Sequence, residues 1–520
     1  MPTPAFPWCL SRLPAAPLAT LLLTLAGCAV GPDFQRPAPP DTGRYTATPA
    51  PAATVGDAHV PAQRLHAGAD IPAQWWTLFR SPELDRLVHE ALAHSPTLQQ
   101  AGARLRQAQE ELNAETGART LPSVDANLSG GRQKVDPSAF GVPVAEPPPP
   151  FTLYNASIDV SYTLDVFGAE RRALEGLRAQ VDYRTHELQA ARMTLAANVV
   201  TAAIRQAGLQ ARLDATQALL QAQARQLAIM RQRLQAGGVA VLDVRNQESL
   251  LAQTRATLPT LQQQRDRTRH QLGVYLGRLP AQADLPPLTL ESLQLPQDVP
   301  LGVPSQLTRQ RPDILAAEAL WQRAAADVGV ATANRYPRFT LTGSFGSQRT
   351  RAGDVADGVN IWSLALGLTQ PLFRGGELRA RQRAAEAAYE GAAAAYRDTV
   401  LQGFQQVADA LRAVQADAAA LQARADAERQ AQAAHDITAR QYAAGGVSQL
   451  ALLDAQREQL RTRAERIQAQ ADRHADTAAL LQALGGGWWN EAPEGVSSSD
   501  SSSRPPACHG CLPATASPAD

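Results

Sequence analysis

Four cysteines occur in 520 residues, and none lies between Cys28 and Cys508. That gap excludes a disulfide-stapled body and a cysteine nucleophile within it. Histidine is no better placed for chemistry. His66, His89, His94, His186, His270, His435 and His474 fall singly on polar helical stretches, without metal-ligand spacing. There is no glycine-rich phosphate loop and no serine elbow. The sequence therefore predicts no enzyme, no cofactor and no metal centre. Basic and acidic residues balance at 49 each, which argues against nucleic acid as a partner. The 48 arginines against the single Lys134 point to no mechanism. Long apolar runs are missing too: a spanning helix needs about 20 residues, and the uncharged leader stretch 18–26 is far shorter.

That short run ends in Leu25-Ala26-Gly27-Cys28, and Arg12 is the only charge before Asp33. A cysteine at this point is where a bacterial lipoprotein is cleaved and acylated. The reading makes 1–27 a signal peptide and Cys28 the lipidated first residue of the mature chain. An Asp after the cysteine commonly signals inner-membrane retention in Gram-negative lipoproteins; Ala29 stands there instead and favours the outer membrane. At the other end, Cys508-His509-Gly510-Cys511 could bind a metal or form a disulfide. A single CxxC in a Ser/Pro-rich tail is weak support for either, and 485–520 reads as disordered.

Between these ends the chain is duplicated. RLQAGGVAVLD at 233–243 resembles RQYAAGGVSQLALLD at 440–454, and Gly237 and Gly445 stand 208 residues apart. Each half repeats one order: helix, strand, strand, very long helix, Gly-Gly turn, helix. The halves span 82–279 and 309–484, joined by 280–308. The long helices, 168–236 and 376–444, contain no proline. Leu209, Leu213, Leu220, Leu227 and Leu234 form a coiled-coil seam, as do Val400, Phe404, Val407, Leu411, Val414 and Leu421. At 1.5 Å per residue each rod is about 100 Å long. The other helices, 82–116, 242–275, 312–334 and 450–484, are shorter. Helix periodicity alone leaves a solid bundle or a non-conducting scaffold or adhesin open as an alternative.

Four segments, 120–134, 154–166, 337–349 and 360–371, alternate with period two. Val124, Ala126 and Leu128 share one face, as do Ile158, Val160, Tyr162 and Leu164. Phe339, Leu341 and Phe345 do so in the third strand, and Trp362, Leu364, Leu366 and Leu368 in the fourth. Strands of about ten residues with one polar and one apolar face suit a membrane barrel. Four strands cannot enclose a wide barrel, and lipid does not tolerate open edges. Pooling strands between subunits solves this, and three copies would give twelve strands. A soluble two-sheet core accounts for the alternation equally well.

With these motifs in order, the chain resembles the outer membrane factor family of tripartite efflux pumps, in its lipoprotein branch. The resemblance rests on Gly31-Pro32-Asp33-Phe34-Gln35-Arg36-Pro37, on Trp75-Trp76 followed by Phe79 and Pro82, and on Tyr162-Thr163-Leu164-Asp165-Val166-Phe167-Gly168. It continues through Arg311-Pro312-Asp313-Ile314 and Pro371-Leu372-Phe373-Arg374-Gly375-Gly376. It implies a mainly α protomer with four barrel strands. It also implies a homotrimer with a twelve-stranded barrel in outer-membrane lipid and a twelve-helix periplasmic tunnel. Segment 28–81 would pack along a mixed equatorial region. The implied partners are a periplasmic adaptor and an inner-membrane transporter, usually proton-driven. The protein itself would be a passive exit duct.

In the family the tunnel tip closes like an iris, with acidic residues six and nine positions after the second turn glycine. Counting from Gly445 gives Ala451 and Asp454, so one of the two is kept. The tethering position two residues after that glycine is Val447, and Tyr442 matches an aromatic ahead of the turn. Asp454 is thus the main gate candidate. Asp243, six residues after Gly237, is the first-half counterpart and is more often structural. Gly237, Gly238, Val239, Gly445, Gly446 and Val447 are turn residues where the adaptor's hairpin tips should dock. Gly168, Gly375 and Gly376 mark the barrel–tunnel joint.

Overall fold

The computed structural model describes residues 29–56, 61–135, 137, 141, 149–282 and 284–490. The leader, Cys28 and the Cys508–Cys511 pair lie outside the described residues. In chain order the helices are α1 (Pro82–His94), α2 (Pro96–Thr120), α3 (Ala169–Gln235), α4 (Val241–Tyr275), α5 (Pro304–Gln310), α6 (Pro312–Ala333), α7 (Glu377–Ala443) and α8 (Gln449–Ala483). The strands are β1 (Arg64–Ala67), β2 (Ser123–Gln133), β3 (Phe151–Leu164), β4 (Asp298–Leu301), β5 (Arg338–Arg349) and β6 (Ile361–Thr369).

The first helical stretch of the sequence is two helices. Pro96 lacks an N–H and holds Ser95 extended, at φ −62° and ψ 123°, so α1 stops at His94 and α2 restarts. The start of α1 has local support. Leu84 N–H donates to Ser81 Oγ at 3.3 Å, Pro82 opens the helix, and Glu83 and Asp85 face its positive end. Helices α3 and α7 run 67 residues each without a break, or about 100 Å. Helices α4 and α8 have 35 residues each and return about half that distance. Leu209 and Leu213 bury against Leu261 of α4, and Leu227 and Met230 against Val244. No helix among the described residues is long and apolar enough to cross a membrane.

Strands β2, β3, β5 and β6 form one antiparallel sheet in that order. Its register assembles single-strand alternation into two continuous faces. Ala126, Ile158, Phe345 and Trp362 lie in one row, and Val124, Val160, Gly343 and Leu364 in the next. Tyr162, Leu341 and Leu366 form a third, then Leu164, Phe339 and Leu368 a fourth. The opposite face carries Asp125, Asp159, Ser344 and Ser363, and beside them Ser123, Ser161 and Thr342. A shift of one residue would mix the faces. Among the described residues β2 and β6 each leave one edge unpaired.

The largest core lies midway along the rods. Trp75, Phe79 and Leu84 pack there with Val199, Val200 and Ile204 of α3 and Leu480 and Leu481 of α8. Strands β1 and β4 pair in parallel beside it. Two buried cations, Arg311 and Arg473, and one exposed, Arg64, tie this belt together. Arg311 donates to the Ala483 carbonyl, Gln406 and Asp313 at 2.6–3.0 Å, linking α6, α7 and α8. Arg64 forms a bidentate pair with Asp298 across the small sheet. Arg473, fully buried, donates to Gln63, Thr54 and the Pro61 carbonyl.

The tail was expected to lose structure at 485, but residues 485–490 are packed. Gly485, Gly486 and Gly487 all adopt positive φ, which folds the chain back on the belt. Trp488 Nε1 then donates to the Gln310 carbonyl at 2.7 Å, and Asn490 Nδ2 to the Ile71 carbonyl at 2.8 Å. The remainder, 491–520, lies outside the described residues.

Candidate functional site

The two Gly-Gly turns sit at the far ends of the long helices from the sheet. Both close in the same way. Gly238 N–H donates to the Arg233 carbonyl at 2.7 Å, and Gly237 N–H to the Leu234 carbonyl at 3.0 Å. Gly446 N–H donates to Gln441 at 2.8 Å, and Gly445 N–H to Tyr442 at 3.0 Å. Such paired bonds satisfy the last helical carbonyls and require a left-handed residue, here Gly237 at φ 75° and Gly445 at φ 76°.

The returning helices are capped differently. Ala240 cannot cap α4, so the half-buried Asp243 carboxylate reaches back and accepts from the Ala240 N–H at 3.3 Å. At α8, Ser448 Oγ accepts from the Ala451 N–H at 3.3 Å. The shift of 208 that superposes the turns sets Asp243 against Ala451, and Asp454 against Asn246. Asp243 is therefore engaged locally, as a capping group. Asp454 lies one turn further along α8. It is 63% exposed, and its nearest charged partner is Arg457, at 3.5 Å on the same helix.

Two features here have no signal in the sequence. Gln223, Gln247, Gln449 and Gln456 are buried, from α3, α4 and α8, and Gln449 Nε2 donates to Gln247 Oε1 at 3.3 Å. Next to them a cavity of about 500 Å³ opens between α3, α7 and α8, and Arg233, His435, Tyr442 and Arg463 also line it. The structure thus brings Tyr442 to the same cavity wall as Gln223 and Gln456. It keeps Asp243 and Asp454 on separate helices without contact. On the outer surface Glu248 accepts from Arg231 and Arg245 at 2.7 and 2.9 Å, and these bonds hold its carboxyl below the usual range. Pairs as exposed as this add little to stability.

At the opposite end, Gly168 and Gly376 occupy the residue before α3 and α7, at φ 81° and 87°, and Gly375 lies at φ 56°. Asp165 caps α3 by accepting from the Glu170 and Arg171 N–H groups at 3.1 and 2.9 Å. The N-terminal segment meets this joint. Val30 N–H donates to the Phe167 carbonyl at 3.2 Å, and a Cβ on Gly168 would touch Ala29 at 2.9 Å. From there the segment descends: Phe34 packs edge-on to Trp321, Arg36 pairs with Glu318, and Tyr45 donates to the Gly302 carbonyl.

A family model described as outer membrane efflux protein matches residues 87–278 and 303–486. The chain belongs to the outer membrane efflux protein family. Among curated members, the pyoverdine export outer membrane protein OpmQ of Pseudomonas putida is 34% identical, over 81% of this chain and 89% of its own. Outer membrane protein OprJ of Pseudomonas aeruginosa is 31% identical, over 92% and 97%. Of solved structures, the outer-membrane channel OprN superposes with a TM-score of 0.78 at 31% identity, covering 89% of this chain and all of that one. VceC of Vibrio cholerae gives 0.73 at 27%, covering 80% and 99%. The protomer of this efflux protein is that of a trimeric outer-membrane channel, with four barrel strands and tunnel helices. Its family is one of transport ducts rather than enzymes.

Proposed function

We propose that this protein is the outer-membrane exit duct of a tripartite efflux pump. It passively conducts what an inner-membrane transporter, of the proton-driven kind, delivers through a periplasmic adaptor. The observation that carries the reading is the joining of a two-faced sheet to coils of about 100 Å. Its apolar face suits lipid, its polar face suits a water-filled lumen, and its edges are left for other copies. The rods extend from that sheet to turns that offer a docking surface around Gly237, Gly238, Val239, Gly445, Gly446 and Val447.

Two finer assignments belong to this reading. Cys28 carries lipid: its neighbour Ala29 lies against Gly168, at the level where the strands end and the coils begin. Asp454 forms a ring of three carboxylates near the trimer axis at the tunnel tip. With Ala451 and Val447 unable to add charge, that ring and apolar narrowing make the constriction. Like charges around a narrow pore favour cations. The transporter sets the substrate, and relatives differ in what their names say they export, from pyoverdine to toluene.

Purified protein reconstituted in a planar bilayer should form pores and run as a heat-sensitive trimer on gels. A trimer without any conductance would leave a non-conducting scaffold as the better reading.

A further inference from the structure

We infer the register in which β6 of one copy pairs with β2 of the partner subunit, because the internal duplication already contains the same junction once. Pro337 stands 215 residues after Pro122 at the start of corresponding strands, and Gly376 stands 208 after Gly168 at the start of the corresponding long helices. The hairpins give an independent check. Shifting the Val124–Val160 pair by 215 and 208 residues lands on Phe339 and Leu368, which are themselves a pair. One correspondence thus relates both strands of the two hairpins.

The junction between the hairpins inside one chain is β3 against β5, where Leu164 faces Phe339 and Val160 faces Gly343. Carried by the same shifts to the chain's free edges, Leu164 becomes Leu372 and Phe339 becomes Val124. Leu372 of one copy then faces Val124 of the partner subunit, and Leu368 faces Leu128 of the partner subunit. On the polar side the Ser161–Thr342 pair becomes Thr369 facing Asn127 of the partner subunit.

Three observations favour this occupant and this register. The derived pairing keeps even-numbered apolar residues of both strands on the lipid face, a match that an odd slip would destroy. Leu372 is 92% exposed, and Val124 and Leu128 are exposed as well, so each partner is uncovered where the register needs it. Strand β6 also ends at Thr369 within the protomer, while its counterpart β3 continues to Leu164, the equivalent of Leu372. The partner subunit's edge extends β6 by those three residues. An unpaired edge in lipid costs several kcal/mol for each bare polar group, which holds the seam closed.

Cysteine cross-linking in detergent-solubilised trimer tests this, in a background carrying Cys508→Ser and Cys511→Ser. Directly opposed Cβ atoms lie about 4.5–5.5 Å apart and diagonal ones about 7–8 Å, so disulfide yield reads register. Leu128→Cys with Leu368→Cys should give covalent trimer on oxidation at least fivefold more than Leu128→Cys with Leu366→Cys or Gln370→Cys. Equal or higher yield from a two-residue neighbour overturns the register. Where the outward pair impairs the heat-sensitive trimer, Asn127→Cys with Thr369→Cys, read against Asn127→Cys with Gly367→Cys, decides in the same way.

Discussion

Gly31 crosses Gly329 so closely that a methyl group on Gly31 would lie 2.5 Å from the Gly329 Cα. The first described residues are thereby held against α6 just below the sheet. Arg172 fixes the same crossing: it donates to the Asp33 carboxylate at 2.6 Å and reaches the Val30 and Gly31 carbonyls, while remaining buried. Gly31 also has φ 101°, which disfavours any side chain. Gly31→Ala should therefore peel this segment from α6, at a cost of about 1–3 kcal/mol. Limited proteolysis within 29–36 should speed up several-fold, and unchanged protection would show that the crossing is soft.

The lipid proposed at Cys28 and the barrel are separable as sources of membrane affinity. Cys28→Ser should abolish the acyl mass and palmitate labelling while leaving the heat-sensitive trimer intact, since the shared barrel spans the bilayer by itself. Loss of barrel assembly in this variant would mean that the lipid does more than tether.

Asp454→Ala should raise resting conductance or weaken cation preference in a planar bilayer. The substitution should leave thermal stability within about 0.5 kcal/mol, because the Asp454–Arg457 pair is exposed. A changed conductance would then be a pore effect rather than a folding defect. If neither conductance nor selectivity moves, Asp454 is not the gate.

Asp417 of α7 makes stability depend on pH. Burial and the neighbouring Asp476 carboxyl push it up to about 7; Asp472 adds to the rise and Arg473 opposes it. Neighbouring carboxylates repel each other unless one holds a proton. Unfolded, Asp417 titrates near 4. Its stabilising contribution is thus complete below about 4 and is lost as pH rises through about 7. Asp417 should therefore lower the melting temperature as pH rises from about 4 to about 7, and Asp417→Asn should remove that component of the slope. Parallel slopes for the two proteins would refute the assignment.

The local pattern of the sequence was strong wherever one residue type is tied to one backbone state. Proline-free Ala/Leu/Gln stretches can only be helices, alternation of Val124-Ala126-Leu128 or Trp362-Leu364-Leu366 can only serve a two-faced strand, and Gly237 and Gly445 take the positive φ of a reversal. Ser95-Pro96 carried a break that amphipathic spacing masked, since both flanking segments are helical. The packed Trp488 was hidden by the glycines around it, which look like linker until their φ angles aim the indole at Gln310.

What the sequence by itself determined is therefore the long helices and the four two-faced strands, with their duplication, because those follow from periods of 3.6 and 2 along one chain. Only the tertiary structure decided that Asp243 caps its own helix while Asp454 stands free of the turn. It alone buried Arg473 against Thr54 and Gln63, more than 400 residues away, and brought Gln449 of α8 to Gln247 of α4. These side chains are polar, and nothing in a sequence period marks a polar residue for burial. Their partners are distant in sequence, and only packing brings those within hydrogen-bonding range.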